Sequence, residues 1–254
     1  MISLAGRELY IKGNGQSNLN GHEPIGNLQS QYSSIDSRCK IFNGISKAWQ
    51  TLNPGVNTVQ PASGTNNPTS GTFGWQVGLI SKLVAYYNAR VWYEPYAQDG
   101  SGSGTWIPNQ GIQGAQTGAE LGNNNMDIAL GQAEAIANIL LGAFIYDQGE
   151  ADSTILSTAN AFQGTLTYII NTQRQIFRMP NLPVFLIAPS DTAQWTYRSI
   201  TNQAMINISN LLPNVTFIPT DGLGLNDAGV HFDAAANETI ATRITTIITS
   251  KYQL

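Results

Sequence analysis

The 254-residue chain of 27.4 kDa is long enough for one substantial hydrophobic core or two small ones. Only 11% of its residues are charged and its net charge is −4 without a basic cluster, which excludes the electrostatic footprint of a nucleic-acid partner. One cysteine excludes an internal disulfide and a cysteine-based metal site, and two histidines argue against a histidine-rich metal centre. We therefore expect no metal and no cofactor, and we interpret the lone thiol of Cys39 as structural or incidental.

The composition also bears on where the protein acts. Residues 1–4 lack the charged and apolar regions of a signal peptide, and no apolar run reaches the roughly 18 residues of a membrane span. With few charges, the polar surface must be built from Asn, Gln, Ser, Thr and Gly, a composition that suits a secreted, cell-surface or virion-associated protein. We expect a chain without a membrane span that, if exported, either loses a signal or travels within a larger assembly. Nothing in the sequence indicates its oligomeric state.

In chain order, the first regular segment is a short apolar strand over 9–13, which runs into the polar sequence NGQSNLN at 14–20. Clusters of Gly, Ser and Asn after strands are usually turns. A serine at this place, however, also presents its hydroxyl and its backbone N–H at the carboxyl edge of a sheet. Ser17 is therefore a candidate nucleophile if later segments agree.

The segment from about 19 to 72 is rich in Pro, Gly, Asn and Ser and has only brief apolar patches. A loop of this length inside a compact domain is usually functional. We predict a loop insertion over the active face with one short strand pair, and a linker or disordered segment is the alternative.

Regular structure then resumes as helices and strands in alternation. We predict, in order, a helix carrying Val77 to Tyr87, a strand over 90–94, a glycine/serine loop over 99–125, a helix with Asn125 as its N-cap and an apolar stripe from Met126 to Leu140, a strand over 142–146, a helix over 155–177, a strand over 184–188, a helix over 197–212, a strand over 215–218 and a last helix carrying Ile240 to Ile248. Short apolar strands that alternate with helices form parallel sheets covered on both faces. The sequence therefore predicts one α/β domain over 1–254: a doubly wound, flavodoxin-like three-layer sandwich around a five-stranded parallel sheet.

Polar clusters follow three of the predicted strands, and sheets of this kind bind ligands at the carboxyl ends of their strands. Ser17 follows the first strand, the sequence QGE at 148–150 follows the third, and the polar segment 221–231 follows the last. A serine nucleophile needs a base that takes its proton, and His231 in that last segment is the serious candidate. His22 lies in a loop rich in glycine and proline, and we assign it a surface or supporting role.

Three motifs carry a family resemblance. The sequence reads GQSN at 15–18, QGEAD at 148–152 and AGVH at 228–231. These stretches resemble the motifs GQSN, QGESD and DGxH of the SGNH (GDSL-like) hydrolase superfamily, in particular its sialate O-acetylesterase and acetylxylan esterase branch, carbohydrate esterase family 6. The resemblance extends over about 9–248, and it implies the SGNH hydrolase fold.

The resemblance implies a role for each matching residue. Ser17 would attack an ester carbonyl, with His231 as general base and then general acid. The oxyanion would be bound by the backbone N–H groups of Ser17 and Gly74 and by the side-chain amide of Gln148. The glycine/serine loop from 99 to 106 is similar to another loop of these enzymes.

The residue that orients the catalytic histidine is where this sequence departs from the family pattern. Relatives carry Asp three residues before the histidine, but this chain has Ala228 there. Three alternatives remain open: Asp227 acts from a slightly different loop, Glu150 acts from another strand, or a backbone carbonyl completes a Ser–His dyad. Asp233, which follows the histidine, is assigned to the N-terminus of the last helix.

These observations predict a serine esterase that removes acetyl groups from a carbohydrate, either an O-acetylated polysaccharide or sialic acid, through an acyl-enzyme. Its predicted partner is the acetylated glycan. The alternative is a catalytically weak carbohydrate-binding or adhesin module, for example on a phage tail. A lipase or thioesterase is disfavoured because the loops are polar. Trp75 and Trp106 are predicted to lie near the site, and Trp49, Trp92 and Trp195 in the core.

Overall fold

The computed structural model of the protein describes residues 2–57, 71–107, 118–226 and 228–253. Two stretches of predicted loop, 58–70 and 108–117, lie outside the described residues. Asp227, one of the predicted orienting groups, also lies outside them.

The described residues form strands β1 (Ile2–Ser3), β2 (Glu8–Gly15), β3 (Glu23–Pro24), β4 (Cys39–Asn43), β5 (Ala48–Thr51), β6 (Thr72–Phe73), β7 (Val91–Ala97), β8 (Ile139–Asp147), β9 (Val184–Ile187), β10 (Val215–Ile218) and β11 (Tyr252–Gln253). They form helices α1 (Ser17–Asn20), α2 (Gln76–Tyr87), α3 (Gly118–Glu134), α4 (Leu156–Ile176), α5 (Arg198–Leu211) and α6 (Ala234–Lys251). Strands and helices alternate from β7 to α6, which confirms the predicted α/β class.

The central sheet has the strand order β10-β9-β8-β2-β7-β4-β5. Its strands run parallel except β5, which is antiparallel to β4. The five predicted strands are confirmed as β2, β7, β8, β9 and β10, but the predicted strand count of five is wrong because β4 and β5 extend the sheet to seven. Both added strands come from the segment predicted as a loop insertion, and their antiparallel pairing confirms the one short strand pair predicted there.

Each face of the sheet is covered by its own helices and its own apolar core. Ile11 of β2 packs in the core that includes Ile80 of α2 and Ile244 of α6. Tyr10, the preceding residue, points to the opposite core, which includes Phe162 of α4 and Met205 of α5. The alternation along β2 follows from the two-residue period of a strand, and burial of both faces explains its run of three apolar residues from Leu9 to Ile11.

Helix α3 differs from its prediction at both ends. Asn125 lies inside α3 rather than at its N-cap, and Leu140 belongs to β8. The sequence GNNN at 122–125 has low helix propensity, so the pattern predicts a loop there. The buried residues Met126 and Ala129 attach this helix to the core of the second face, and such packing overrides local propensity. No helix in the described ranges is long and apolar enough to cross a bilayer.

The position of β2 decides where a ligand site forms. β2 lies between β8 and β7, so the chain leaves β2 toward one side of the sheet and later returns on its other side. In doubly wound sheets a crevice opens at the carboxyl ends of the strands where the winding direction changes. The residues that follow β2, β7 and β8 therefore share one crevice.

Candidate active site

Ser17 follows β2 after one intervening residue, Gln16, and is the first residue of the single-turn helix α1. The ends of β2 and β8 approach closely here, and a side chain at Gly15 would collide with the carbonyl oxygen of Asp147. The N–H of Gln16 donates to that same carbonyl at 3.0 Å, and the N–H of Asn20 donates to the carbonyl of Gln16 at 3.1 Å. These contacts make the chain turn sharply and leave Ser17 at the carboxyl edge of the sheet.

A cavity of about 320 Å³ opens beside this turn. Its wall includes Gln16, Ser17 and Asn18 after β2, Glu150 after β8, Trp195 before α5 and His231 after β10. The fold thus brings the predicted nucleophile, the predicted base and Glu150 into one cavity. No hydrogen bond joins the Ser17 hydroxyl to the His231 ring within the described ranges.

Glu150 is 2% exposed and holds the residues on both sides of the serine. Its carboxylate accepts hydrogen bonds from Nε2 of Gln16 and, at 2.7 Å, from Nδ2 of Asn18. The other side-chain atom of Asn18, Oδ1, accepts the backbone N–H of Phe232 at 3.2 Å. Burial raises the pKa of Glu150, and the two amide donors oppose that rise. Glu150 therefore contacts the histidine loop through Asn18, and in the described ranges it makes no hydrogen bond to the His231 ring itself.

The ring of His231 is partly buried in the cavity wall. Burial lowers its pKa from 6.5 to about 4, with a further lowering from His22 and an opposing effect from Asp99. At neutral pH the imidazole is therefore uncharged and has a lone pair available to accept a proton. This protonation state is the one that a general base requires.

His22, predicted to have a surface or supporting role, lies beside the His231 ring together with Asp99, to which the sequence analysis assigned no role. The ring of His22 stacks on that of His231, with centroids 4.4 Å apart and planes at 15°. Its Nε2 lies 3.0 Å from Oδ2 of Asp99. The sequence does contain a signal that these two residues lie at the site. His22 follows the Ser17 turn, and Asp99 follows β7, the strand beside β2.

The predicted oxyanion donors other than Ser17 lie outside the cavity wall in the described ranges. Gln148 is fully buried: its Nε2 donates to the carbonyl of Ser101, and its Oε1 accepts from Nε1 of Trp106 at 3.3 Å. Gly74 packs against the end of α1, where a Cβ on it would lie 2.8 Å from Cα of Gly21. Their oxyanion roles stay predictions.

Gly100 is a further backbone candidate that the sequence analysis did not assign to the oxyanion. It lines the cavity together with Ser17 and has a φ of +67°. Because β7 pairs with β2 along its length, the loop that follows β7 reaches the serine turn.

Trp92 is a core residue and Trp49 packs against the same core, as predicted, but the other three tryptophans are placed differently from the prediction. Trp75 and Trp106 are buried and do not line the cavity; Nε1 of Trp75 donates to Oδ2 of Asp147 at 2.8 Å. Trp195, predicted to be a core residue, instead lines the cavity and is only partly buried. Its Nε1 donates to Oγ of Ser190 at 2.9 Å, and that hydroxyl donates to the carbonyl of Val230 at 2.7 Å. The indole is therefore fixed relative to the histidine loop.

The remaining predicted residues have simple environments. The Asp233 side chain accepts the N–H of Ala236 at 2.8 Å and caps α6, as predicted. Cys39 is buried, which raises its pKa to about 11 and keeps it a thiol at neutral pH. Within the described ranges, no group of three His, Cys, Asp or Glu side chains is arranged to hold a metal.

Comparison with known proteins gives a family and a set of folds. The family described as "SASA: Carbohydrate esterase, sialic acid-specific acetylesterase" matches residues 7–250. No curated protein sequence matches the chain.

Several solved structures share the fold at low sequence identity. An Arabidopsis thaliana protein is 15% identical with a TM-score of 0.79, covering 98% of this chain and 100% of that one. NanS is 15% identical with a TM-score of 0.68, covering 97% and 98%. A carbohydrate acetylesterase from Xanthomonas citri is 15% identical with a TM-score of 0.62, covering 93% of this chain and 54% of that one. At such identities the likeness shows the fold alone.

Proposed function

Because the chain belongs to the family of carbohydrate esterases described as sialic acid-specific acetylesterases, we propose that it removes O-acetyl groups from a glycan through an acyl-enzyme on Ser17. The family gives the reaction, which is ester hydrolysis on an acetylated carbohydrate. The assignment of roles to individual residues is our own proposal. One observation carries it: Ser17 and His231, from opposite ends of the sequence, line the same cavity.

In the proposed reaction, Oγ of Ser17 attacks the acetyl carbonyl carbon while His231 takes the hydroxyl proton. The tetrahedral intermediate collapses as His231 returns the proton to the sugar oxygen, which leaves as an alcohol. Water, deprotonated by the same histidine, then releases acetate from the serine. The hydrogen bond between serine and histidine forms when substrate fills the cavity, as is common for catalytic contacts that are long in the unliganded enzyme.

The developing oxyanion needs hydrogen-bond donors. We assign the backbone N–H of Ser17 as one donor and keep Gly74 and Gln148 as the predicted others. The position of Gly100 in the cavity wall supports its backbone N–H as an additional donor. Each such donor typically lowers the barrier by ~3 kcal/mol.

The shape of the cavity supports a sugar as the carrier of the acetyl group. Trp195 offers an aromatic face on which the apolar face of a pyranose ring packs, while Gln16, Asn18 and Thr154 add polar groups. A volume of about 320 Å³ suits an acetyl group and part of one sugar better than a long acyl chain. Acetylated sialic acid and O-acetylated polysaccharide are the two carriers to compare.

The decisive test is turnover of p-nitrophenyl acetate and of an acetylated glycan. Ser17→Ala should lower kcat/KM for both by at least ~10³-fold with folding intact. Ser250→Ala, which removes an exposed hydroxyl at the end of α6, is the matched control and should leave the rate unchanged. Equal rates for the wild type and Ser17→Ala would refute the assignment. A wild type that binds glycan without turnover would favour the adhesin alternative.

We also propose that the enzyme acts outside the cell or on a virion surface. The low charge of the chain and the class of its substrate support this location. Fractionation of the source cells and their medium tests it, and recovery in the cytoplasmic fraction alone would contradict it.

A further inference from the structure

A second cavity opens at the far end of α4 from the serine. It has a volume of about 420 Å³ and is lined by Asn171, Arg174, Gln175, Arg178 and Pro180. Helix α4 begins after β8, near the carboxyl edge of the sheet, and its 21 residues extend about 30 Å away from that edge. We propose that this cavity binds a sugar that carries a carboxylate group, at a site separate from the catalytic cavity.

The guanidinium of Arg174 is the observation that points to an anionic ligand. Arg174 is only 7% exposed, and its Nη2 donates to the carbonyls of Leu182, at 3.2 Å, and of Pro213. In the described ranges its Nε is enclosed without a hydrogen-bond partner, and its Nη1 is less enclosed and also makes no hydrogen bond. The bonds of Nη2 therefore fix the guanidinium in place while other N–H groups of the same side chain stay available to a ligand.

The cavity also lacks a protein counter-charge. A buried charge in a protein normally has a partner of opposite sign, because removing an ion from water is costly. Neither Arg174 nor Arg178 forms an ion pair with a described residue. The sequence explains this, since 153–190 and 192–220, the stretches that form α4, β9, α5 and β10, contain no Asp or Glu.

The helix itself offsets only part of this charge. The carbonyl end of an α-helix is equivalent to roughly half a negative elementary charge, and Arg174 and Arg178 together bring two positive ones to the end of α4. Burial accordingly lowers the pKa of Arg174. An anion in the cavity would supply the missing negative charge, and the planar fork of a guanidinium matches the two oxygens of a carboxylate.

The other groups at the cavity suit a sugar rather than a bare anion. Asn171 and Gln175 present exposed side-chain amides, which both donate hydrogen bonds to hydroxyl groups and accept them. Tyr168, 50% exposed, precedes Asn171 by three residues and so lies beside it on the same face of α4, where its ring can pack on the apolar face of a pyranose. A volume of about 420 Å³ is within the range of small-molecule sites.

NMR titration of the full chain carrying Ser17→Ala tests the proposal without ester turnover. Glucuronate or N-acetylneuraminate should shift the backbone amide signals at the end of α4 and in the loop 177–183. Glucose, the neutral counterpart of glucuronate, should shift these signals much less. Binding of either acid in the catalytic cavity is read separately, from signals near Ser17 and His231.

Variants at the rim of the cavity identify the group that recognises the carboxylate. Arg178→Gln removes one exposed charge and should raise the Kd for glucuronate at this site about tenfold. Arg178→Lys keeps the charge without the fork and should have a smaller effect. Arg243→Gln makes the same change on α6, which covers the other face of the sheet, and this matched control should leave the Kd unchanged. Arg174 is left intact because its bonds to Leu182 and Pro213 hold the chain together.

Four results would overturn the proposal. One is the absence of amide shifts at this cavity with both acidic sugars, and another is an equal affinity for glucose. The third is an affinity for acetate or inorganic phosphate that matches the affinity for glucuronate, which would identify a general anion site only. The fourth is an unchanged Kd in Arg178→Gln, or in Arg178→Lys if the glutamine variant does not fold. A wild type without esterase activity would refute the proposed function and leave the outcome of this titration unaffected.

Discussion

The side chain of Asn18 connects Glu150, which accepts its Nδ2 at 2.7 Å, to the backbone N–H of Phe232, which its Oδ1 accepts at 3.2 Å. The two contacts use opposite ends of one amide. They join the end of β8, the residue after the serine and the residue after the histidine. Glu150 therefore sets the distance between nucleophile and base without a direct bond to the His231 ring.

We predict that Glu150→Gln lowers kcat/KM more than Asp227→Asn does. Glutamine replaces an oxygen acceptor by an N–H₂ donor, so one of the two amide donors, Gln16 or Asn18, loses its partner. The expected fall is about tenfold to hundredfold. Steady-state kinetics on an acetyl ester measure it. A fall of ~10³ or more in Asp227→Asn with a near wild-type Glu150→Gln would show that Asp227 is the orienting acid.

The low pKa of His231 predicts activity at acidic pH. The imidazole must be neutral to act as a base, so kcat/KM should stay high as pH falls toward 5 and decline through about 4. An unshifted histidine would lose half its activity near pH 6.5 instead. A pH profile on p-nitrophenyl acetate, with protein stability checked at each pH, distinguishes the two cases.

Trp195 should determine the affinity for sugar and leave the chemical step alone. Trp195→Ala removes the aromatic face of the cavity, so KM for an acetylated glycan should rise about tenfold. The rate on p-nitrophenyl acetate should hardly change, because that ester has no sugar to pack. Trp195→Phe, which retains an aromatic face, should recover much of the glycan affinity. Equal losses on both substrates would show that the indole supports the histidine loop instead.

The enzyme should prefer short acyl groups. The wall of the cavity, of about 320 Å³, includes the polar side chains of Gln16, Asn18 and Glu150, and burial of a long acyl chain against them is unfavourable. Rates on a series of p-nitrophenyl esters from acetate to octanoate should therefore decline with chain length. A rate on octanoate well above that on acetate would contradict the prediction.

Activity should also persist without metal. The proposed chemistry uses a serine, a histidine and hydrogen-bond donors, none of which needs a Lewis acid. The expected result is full turnover after dialysis against EDTA. Loss of activity that a divalent ion restores would overturn it.

Much of the fold follows from local pattern, and the exceptions have physical causes. Each of the strands β2, β8 and β9 contains a run of consecutive apolar residues because both of its faces are buried, and these runs identify the strands in the sequence. β4 and β5 are short and lie among turn-forming residues, and only their pairing with β7 and with each other makes them strands. Helix α3 begins before Asn125, and its residues Met126 and Ala129 pack in the core of the second face, a contact that a helix-propensity argument does not include.

The candidate site, like the fold, contains residues that the sequence predicts and residues that only the folded chain reveals. Ser17 and Glu150 stand in motifs at strand ends, so the sequence predicts that they meet, and the cavity contains both. His22 and Asp99 lie in separate loops, and their contact depends on the pairing of β2 with β7. Residue type alone predicts a core position for Trp195. Its place in the cavity wall depends on the hydrogen bond from its indole N–H to Ser190, which forms only in the folded chain.

The central position of β2 has a consequence for motion. β2 is hydrogen-bonded to a neighbour on each side, whereas β10, which leads to the His231 loop, is an edge strand with one neighbour in the central sheet. Opening β2 would break two ladders at once, so its amide protons should exchange with solvent only on global unfolding. The loop after β10 has fewer such restraints and should exchange faster. We therefore expect the active site to adjust to a substrate by movement of the histidine loop, with the serine turn stationary.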